Sequence, residues 1–218
     1  MKEHPILMSA VMIPALLAGE KTQTRRVITT PIDEWAARRW PPPEGDTILL
    51  RVRADGTSLR LHCPYGIPGE RLWVKESLRG DGQPGNRRVG IARYAVDGNM
   101  VLEKIEDAGR ADVLWEWKRP VLPARFMPRW ASRITLEITD VRVQRVQEIS
   151  NEDALAEGVI EENGDYHWPG RNTFRRNARI AFSEGWDDIN AKRRLGFDVN
   201  PWVWALTFRR IDANARPK

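Results

Sequence analysis

The sequence predicts a mixed α+β fold, mainly antiparallel in its sheets, built as one domain over residues 1–218. Three observations carry that expectation. Stretches with alternating apolar residues recur along the chain among short segments with helical signals, which argues against a doubly wound parallel sheet. Asp55-Gly56 and Asp97-Gly98 each lie between two such stretches, where tight hairpin turns are expected. The longest stretch, Arg133 to Val146, changes phase partway: Ile134, Leu136 and Ile138 share one face, and Val141 and Val143 resume the alternation in the opposite phase. A bulge or bend near Thr139-Asp140 restores the face, and a strand that bends once suits a small closed barrel.

In chain order, Ile6 to Met8 reads as a short strand. Ser9 to Leu17 follows as a short helix, with Pro14 in its first turn and Gly19 as its C-terminal cap. Lys21 to Ile28 is extended, Trp35 to Trp40 a short helix stopped by Pro41-Pro42-Pro43, and Thr47 to Val52 with Ser58 to His62 a hairpin. Pro68-Gly69-Glu70 is a turn into the strand Arg71 to Glu76. Arg79 to Gly90 lacks periodicity and reads as a loop, Ile91 to Val96 and Met100 to Ile105 as a hairpin, and 107–129 as irregular. Ser150 caps a helix that Gly158 ends, with Asp153 three residues beyond the cap. A hairpin is expected within 160–172, a helix from Arg175 to Asn190 bearing Ile180, Phe182 and Trp186, and a last strand from Pro201 to Ile211 with Trp202, Trp204, Leu206 and Phe208 on one face.

Composition narrows the function classes. With 41% hydrophobic and 30% charged residues the chain can bury a core, so wholesale disorder is excluded. Its basic residues exceed the acidic by 35 to 30, and most are Arg, whose flat fork suits phosphate and stacks on bases; general solubility is the plainer account of the same excess. The lone Cys63 excludes an internal disulfide, and the scattered His4, His62 and His167 leave no metal-ligand spacing, so neither metal nor cofactor is expected. The apolar run Ile6 to Ala18 is too short to span a bilayer and the start lacks a secretory pattern, so a cytoplasmic location is the reading; a monomer is expected besides.

Four motifs in order, Gly19-x-Lys21-x-x-Thr24-x-Arg26, Pro68-Gly69-Glu70-Arg71-Leu72, Ala154-Leu155-Ala156-Glu157-Gly158 and the closing apolar strand, resemble the ASCH superfamily. Pro128-Arg129-Trp130-Ala131-Ser132-Arg133 and Asn200-Pro201-Trp202-Val203-Trp204 are similar to ASCH-containing proteins of tailed phages and prophages. The resemblance implies a PUA-like β-barrel with flanking short helices and insertions near 79–118 and 160–195. It also implies an RNA, nucleoside or single-stranded nucleic-acid partner, and either a hydrolase or a non-catalytic reader of RNA, DNA or a modified base. The hydrolase is an amidohydrolase on N4-acetylcytidine-like nucleosides or a ribonuclease. By alignment to the family's small amidohydrolases, the catalytic set is Lys21, Thr24 and Glu157.

Those residue types suit acyl transfer. A Thr hydroxyl needs a base, and a Lys serves when burial or a cationic neighbour such as Arg25 or Arg26 lowers its pKa. Glu157, at a helix C-terminus, is expected to have a raised pKa and to pass protons to the leaving amine. Each has a plainer reading: a surface lysine, a strand threonine, a helix-end charge. A second set, Arg125, Arg129, Trp130 and Arg133 with Arg25 and Arg26, is suited to gripping phosphate and stacking a base. Trp130 taken alone reads rather as core, with the arginines as a rim. Glu76, at a strand end, is a further candidate for the same cleft.

Overall fold

The computed structural model describes residues 1–29, 47–51, 58–81, 91–105, 109–112, 114 and 117–211. The first half runs β1 (Glu3–Leu7), α1 (Ile13–Ala18), β2 (Gln23–Val27), β3 (Thr47–Arg51), β4 (Ser58–His62), β5 (Arg71–Lys75) and β6 (Leu78–Gly80). Next come β7 (Ala92–Tyr94), β8 (Leu102–Ile105), β9 (Gly109–Asp112), β10 (Val121–Leu122) and β11 (Thr135–Arg145). The last part runs α2 (Asn151–Ala156), β12 (Ile160–Glu162), β13 (Asp165–His167), α3 (Ala178–Asn190) and β14 (Trp202–Ile211). Short 3-10 turns precede α1 and lie at Ala124–Phe126 and Arg129–Ala131.

The fold is mixed α+β, mostly sheet with few helices. Its centre is a five-stranded sheet in the order β1-β5-β11-β14-β2, antiparallel except for the β1–β5 pair. The bend expected in Arg133–Val146 is present. The register with β14 slips between Ile138 and Asp140, Thr139 stays exposed, and Leu136, Ile138 and Val141 all reach the core. Trp204, Leu206 and Phe208 of β14 face the same core, together with Ile13 and Leu16 of α1. Val203, on the other face of β14, packs with Phe182 and Trp186 of α3 and with Ile149 and Ala154. Both faces of that strand are therefore buried, by two separate clusters.

The sheet keeps two edges, β1 and β2, so no closed barrel forms among the described residues. The edges nevertheless approach each other. Arg26 of β2 donates from Nη2 to the Leu7 carbonyl of β1 at 2.6 Å, a side chain crossing the seam that a backbone ladder would cross in a closed barrel.

Several expectations are refined. Leu78–Gly80 forms β6, paired with both β7 and β10, so the segment from Arg79 is not wholly loop. Beyond the Arg93–Met100 bridge, β8 turns away from β7 and pairs with β9, so the expected hairpin is short and 107–129 is less irregular than its sequence suggests. The expected helix Trp35–Trp40 and the Asp55-Gly56 turn lie outside the described residues, although β3 and β4 pair as expected. No helix among the described residues is long and apolar enough to cross a membrane.

Local signals fix the ends of α1 and α2. Gly19 takes φ +79 at the end of α1, and the amides of Glu20 and Lys21 both donate to the Ala15 carbonyl, so Lys21 leaves the cap in a fixed direction. Ser150 accepts from the Asp153 amide at the start of α2, and Gly158, at φ +102, turns the chain after Glu157. The Thr22 amide donates to the Ala156 carbonyl at 2.9 Å, joining the start of β2 to the end of α2.

Candidate functional site

A cavity of about 540 Å³ lies at the β1/β2 seam. The size is in the range of small-molecule sites. Lys21, Thr24 and Glu157 all line it, as do Arg25 and Arg26. The lining is also aromatic, with Trp168, Phe182, Trp186 and Tyr65. Four cations, counting Arg193, thus face one carboxylate.

Beneath the cavity, a charge network joins β2 to α2. Lys21 is 4% exposed, and its ammonium donates to the Gln23 carbonyl (2.7 Å), the Glu157 carbonyl (2.5 Å) and Glu157 Oε2 (2.9 Å). All three of its protons are engaged. Arg25 donates to Glu157 Oε1 (3.1 Å) and to Asp153 Oδ2 (2.6 Å), while its guanidinium lies 5.8 Å from the centre of the Phe182 ring. Gln23 Nε2 holds Asp153 Oδ1 at 2.8 Å, and Arg142 reaches Asp153 Oδ2 at 3.3 Å. Arg25 Nε is buried with no hydrogen-bond partner among the described residues.

The electrostatics follow from burial and this company of charges. Burial alone would raise the Glu157 carboxyl, but the charges of Lys21 and Arg25, with the Lys21 hydrogen bond, outweigh it and hold the pKa below the ordinary 4.5. That reverses the expected rise: a helix-terminus field is worth less than two buried cations at hydrogen-bond distance. Burial lowers the Lys21 pKa below its ordinary 10.5 despite Glu157 beside it, with Arg26 and Arg25 adding to the fall. Asp153 is also lowered: burial opposes this, and Arg25, Gln23 and Arg142 prevail.

Thr24 is buried, and its hydroxyl oxygen accepts from Arg26 Nη1 at 2.8 Å rather than from Lys21. The other Arg26 partners are the Arg25 and Leu7 carbonyls and the Met8 sulfur. Among the described residues none of these hydrogen-bond partners is an acid, and Glu157 acts on this guanidinium through its charge alone.

Of the second predicted set, Arg25 and Arg26 line the cavity, whereas Arg125, Arg129, Trp130 and Arg133 do not. Arg133 grips Glu76 with Nε (3.0 Å) and Nη2 (2.8 Å), binds Asp97 at 2.6 Å, and stacks 3.8 Å from the centre of the Tyr94 ring. Glu76 is 1% exposed and satisfied there, and it is not part of the cavity wall. Arg129 binds Glu3 through Nε at 2.7 Å. Trp130 is 49% exposed, so the core reading of it is wrong. The 3-10 turn at Arg129–Ala131 buries Ala131 and turns Trp130 outward.

Sequence reasoning missed the aromatic wall and the lower tier of the network. Trp168, Phe182 and Trp186 look like core residues and do pack with a core cluster; only the cavity distinguishes their outer edges. Trp168 lies directly on Gly185 of α3, where an added Cβ would come within 2.0 Å of the indole. The signal for Asp153 and Gln23 is their place as polar residues flanking Glu157 and Lys21. Among the described residues there is no group of three or more His, Cys, Asp or Glu that could hold a metal ion. No protein-family model, curated protein or solved structure matches the chain.

Proposed function

We propose that the chain is an ASCH-type protein with a PUA-like barrel opened at the β1/β2 seam, and that it hydrolyses an acyl amide on a modified nucleobase held in the cavity. The observation that carries this reading is the convergence of Lys21, Thr24 and Glu157, from the α1 cap, β2 and the end of α2, on one cavity with aromatic and cationic walls. Planar rings suit a base, and the surplus of cations suits a phosphate or a developing oxyanion.

In the proposed step Thr24 Oγ1 attacks the acyl carbon, and its proton passes to a neutral Lys21. The carbonyl oxygen takes the charge, and the Arg26 guanidinium, which already donates to Thr24 Oγ1, supports both it and the Thr24 oxygen. Lys21 then gives the proton to the departing amine, a role expected of Glu157, which is instead held ionised and positions Lys21 through Oε2; water then releases the acyl group from Thr24, its protons passing to the Thr24 oxygen and the freed acid. The resting hydrogen bonds define the demand: Lys21 must first shed a proton, and burial already lowers its pKa in the needed direction.

A second reading, a non-catalytic reader of a modified base, is favoured by one observation: the Lys21 protons are all bound by Gln23 and Glu157, as in a structural ion pair. Turnover of N4-acetylcytidine separates the two. Lys21→Ala and Thr24→Ala are each expected to lower kcat/KM about a hundredfold or more. Full turnover in either variant refutes the catalytic assignment, and wild-type binding without turnover leaves the reader.

A further inference from the structure

Beside the cavity, outside the catalytic set, lies an exposed surface on which aromatic rings alternate with cations. Trp117 and Phe126 lie with ring centres 5.7 Å apart, and the Arg125 guanidinium sits 4.8 Å from the centre of Phe126. The Arg125 carbonyl accepts from Lys75 Nζ at 2.6 Å. Lys75 stands 5.1 Å from the centre of the Trp73 ring, and Arg129 stands 5.8 Å from the same ring. Trp130 follows Arg129 and is exposed, as are Trp117 and Phe126. These contacts form a single chain of neighbours from Trp117 to Trp130.

Large exposed rings are costly to leave in water without purpose, and here three are grouped. Lys75 meets a carbonyl and a ring, Arg125 stands over a ring, and Arg129 pairs with the Glu3 carboxylate. The surface is also continuous with the cavity at two points. Leu7, in the cavity wall, is the sheet neighbour of Lys75, and Ala124, also in the wall, precedes Arg125.

We infer that this surface is a platform for a single nucleic-acid strand whose bases stack on Trp117, Phe126 and Trp130 while Lys75 and Arg125 follow its phosphates, delivering one nucleotide to the cavity. Only a chain that alternates planar groups with anions matches both halves of the pattern. The inference rests on the proposed base-binding cavity for the strand's destination, and it makes the substrate a nucleotide within a strand rather than a free nucleoside.

Fluorescence anisotropy with labelled oligonucleotides of roughly ten nucleotides, as RNA, as DNA of the same sequence and as duplex, tests it on the full chain. Phe126→Ala and Trp130→Ala are each expected to weaken single-strand binding roughly tenfold. Arg125→Ala is expected to reduce the slope of log affinity against log salt by about one. Binding of N4-acetylcytidine alone stays unchanged in all three variants. The RNA and DNA arms identify which strand is preferred. Unchanged strand affinity in both aromatic variants overturns the platform, as does a preference for duplex or self-association of the chain that Trp130→Ala abolishes. If the nucleoside fails to bind while strand binding remains sensitive to Phe126 and Trp130, the cavity reading falls and the platform stands. If the nucleoside binds and no strand does, the platform falls alone.

Discussion

Among the described residues, two arginine–carboxylate clusters built around a buried glutamate differ in use. At β2 and α2, Arg25 and Lys21 share Glu157, Asp153 completes the pairing, and the group forms the floor of a cavity. At β5 and β7, Arg133 takes up both Glu76 and Asp97 and covers Tyr94, and these groups line no part of that cavity. There one cation meets two acids, no positive charge is left over, and the group serves as a packed joint. At β2 and α2, Lys21 and Arg25 balance Glu157 and Asp153, and Arg26, with no acid among its hydrogen-bond partners, adds positive charge at the cavity wall. What marks a candidate site is thus not burial of charge but the sign and direction of what remains unbalanced.

The largest expected effect tests that distinction. Glu157→Gln leaves Lys21 and Arg25 buried with their shared anion gone and is expected to cost about 3–5 kcal/mol. Glu76→Gln, with Asp97 still on Arg133, is expected to cost about 2 kcal/mol. Urea unfolding measures both, and equal costs would erase the comparison.

A smaller effect concerns pH. The folded pKa values of Glu157 and Asp153 lie below the ordinary 4.5 and 3.8, so their contribution is complete above the unfolded values and is lost as pH falls through the folded ones. Stability followed downward from about pH 6 should therefore decline only below the ordinary carboxylate range, and less steeply in Glu157→Gln. A decline centred above pH 4.5 would mean that Glu157 is not held ionised by its cations.

The smallest effect belongs to the exposed surface. Trp130→Ala is expected to shift unfolding free energy by no more than about 0.5 kcal/mol. A large loss would return Trp130 to a packing role.

Features set by a few neighbouring residues are legible in the sequence. The Gly19 cap, the Ser150 cap with its Gly158 stop, and the slip at Thr139 each follow from local backbone preference, and all stand in the structure. The parallel β1–β5 pair and the seam are not legible, because pairing across 60 or more residues leaves no local trace. The Lys21, Thr24 and Glu157 candidates come from a resemblance, and their shared cavity cannot be read from spacing. The Glu157 pKa departs from expectation for the same reason: Lys21 lies 136 positions away along the chain. Glu76 and Arg133 are candidates by their charge, yet at the ends of the adjacent strands β5 and β11 they satisfy each other.

Gly185 has a consequence beyond packing. Glycine inside a helix costs about 1 kcal/mol relative to alanine, and α3 accepts that cost where the Trp168 indole lies flat against its backbone. A single methyl there would drive the indole away from the helix. The depth of the cavity, and so the bulk of any occupant, is thereby governed from behind the wall, by an atom that is missing rather than by any group an occupant would touch.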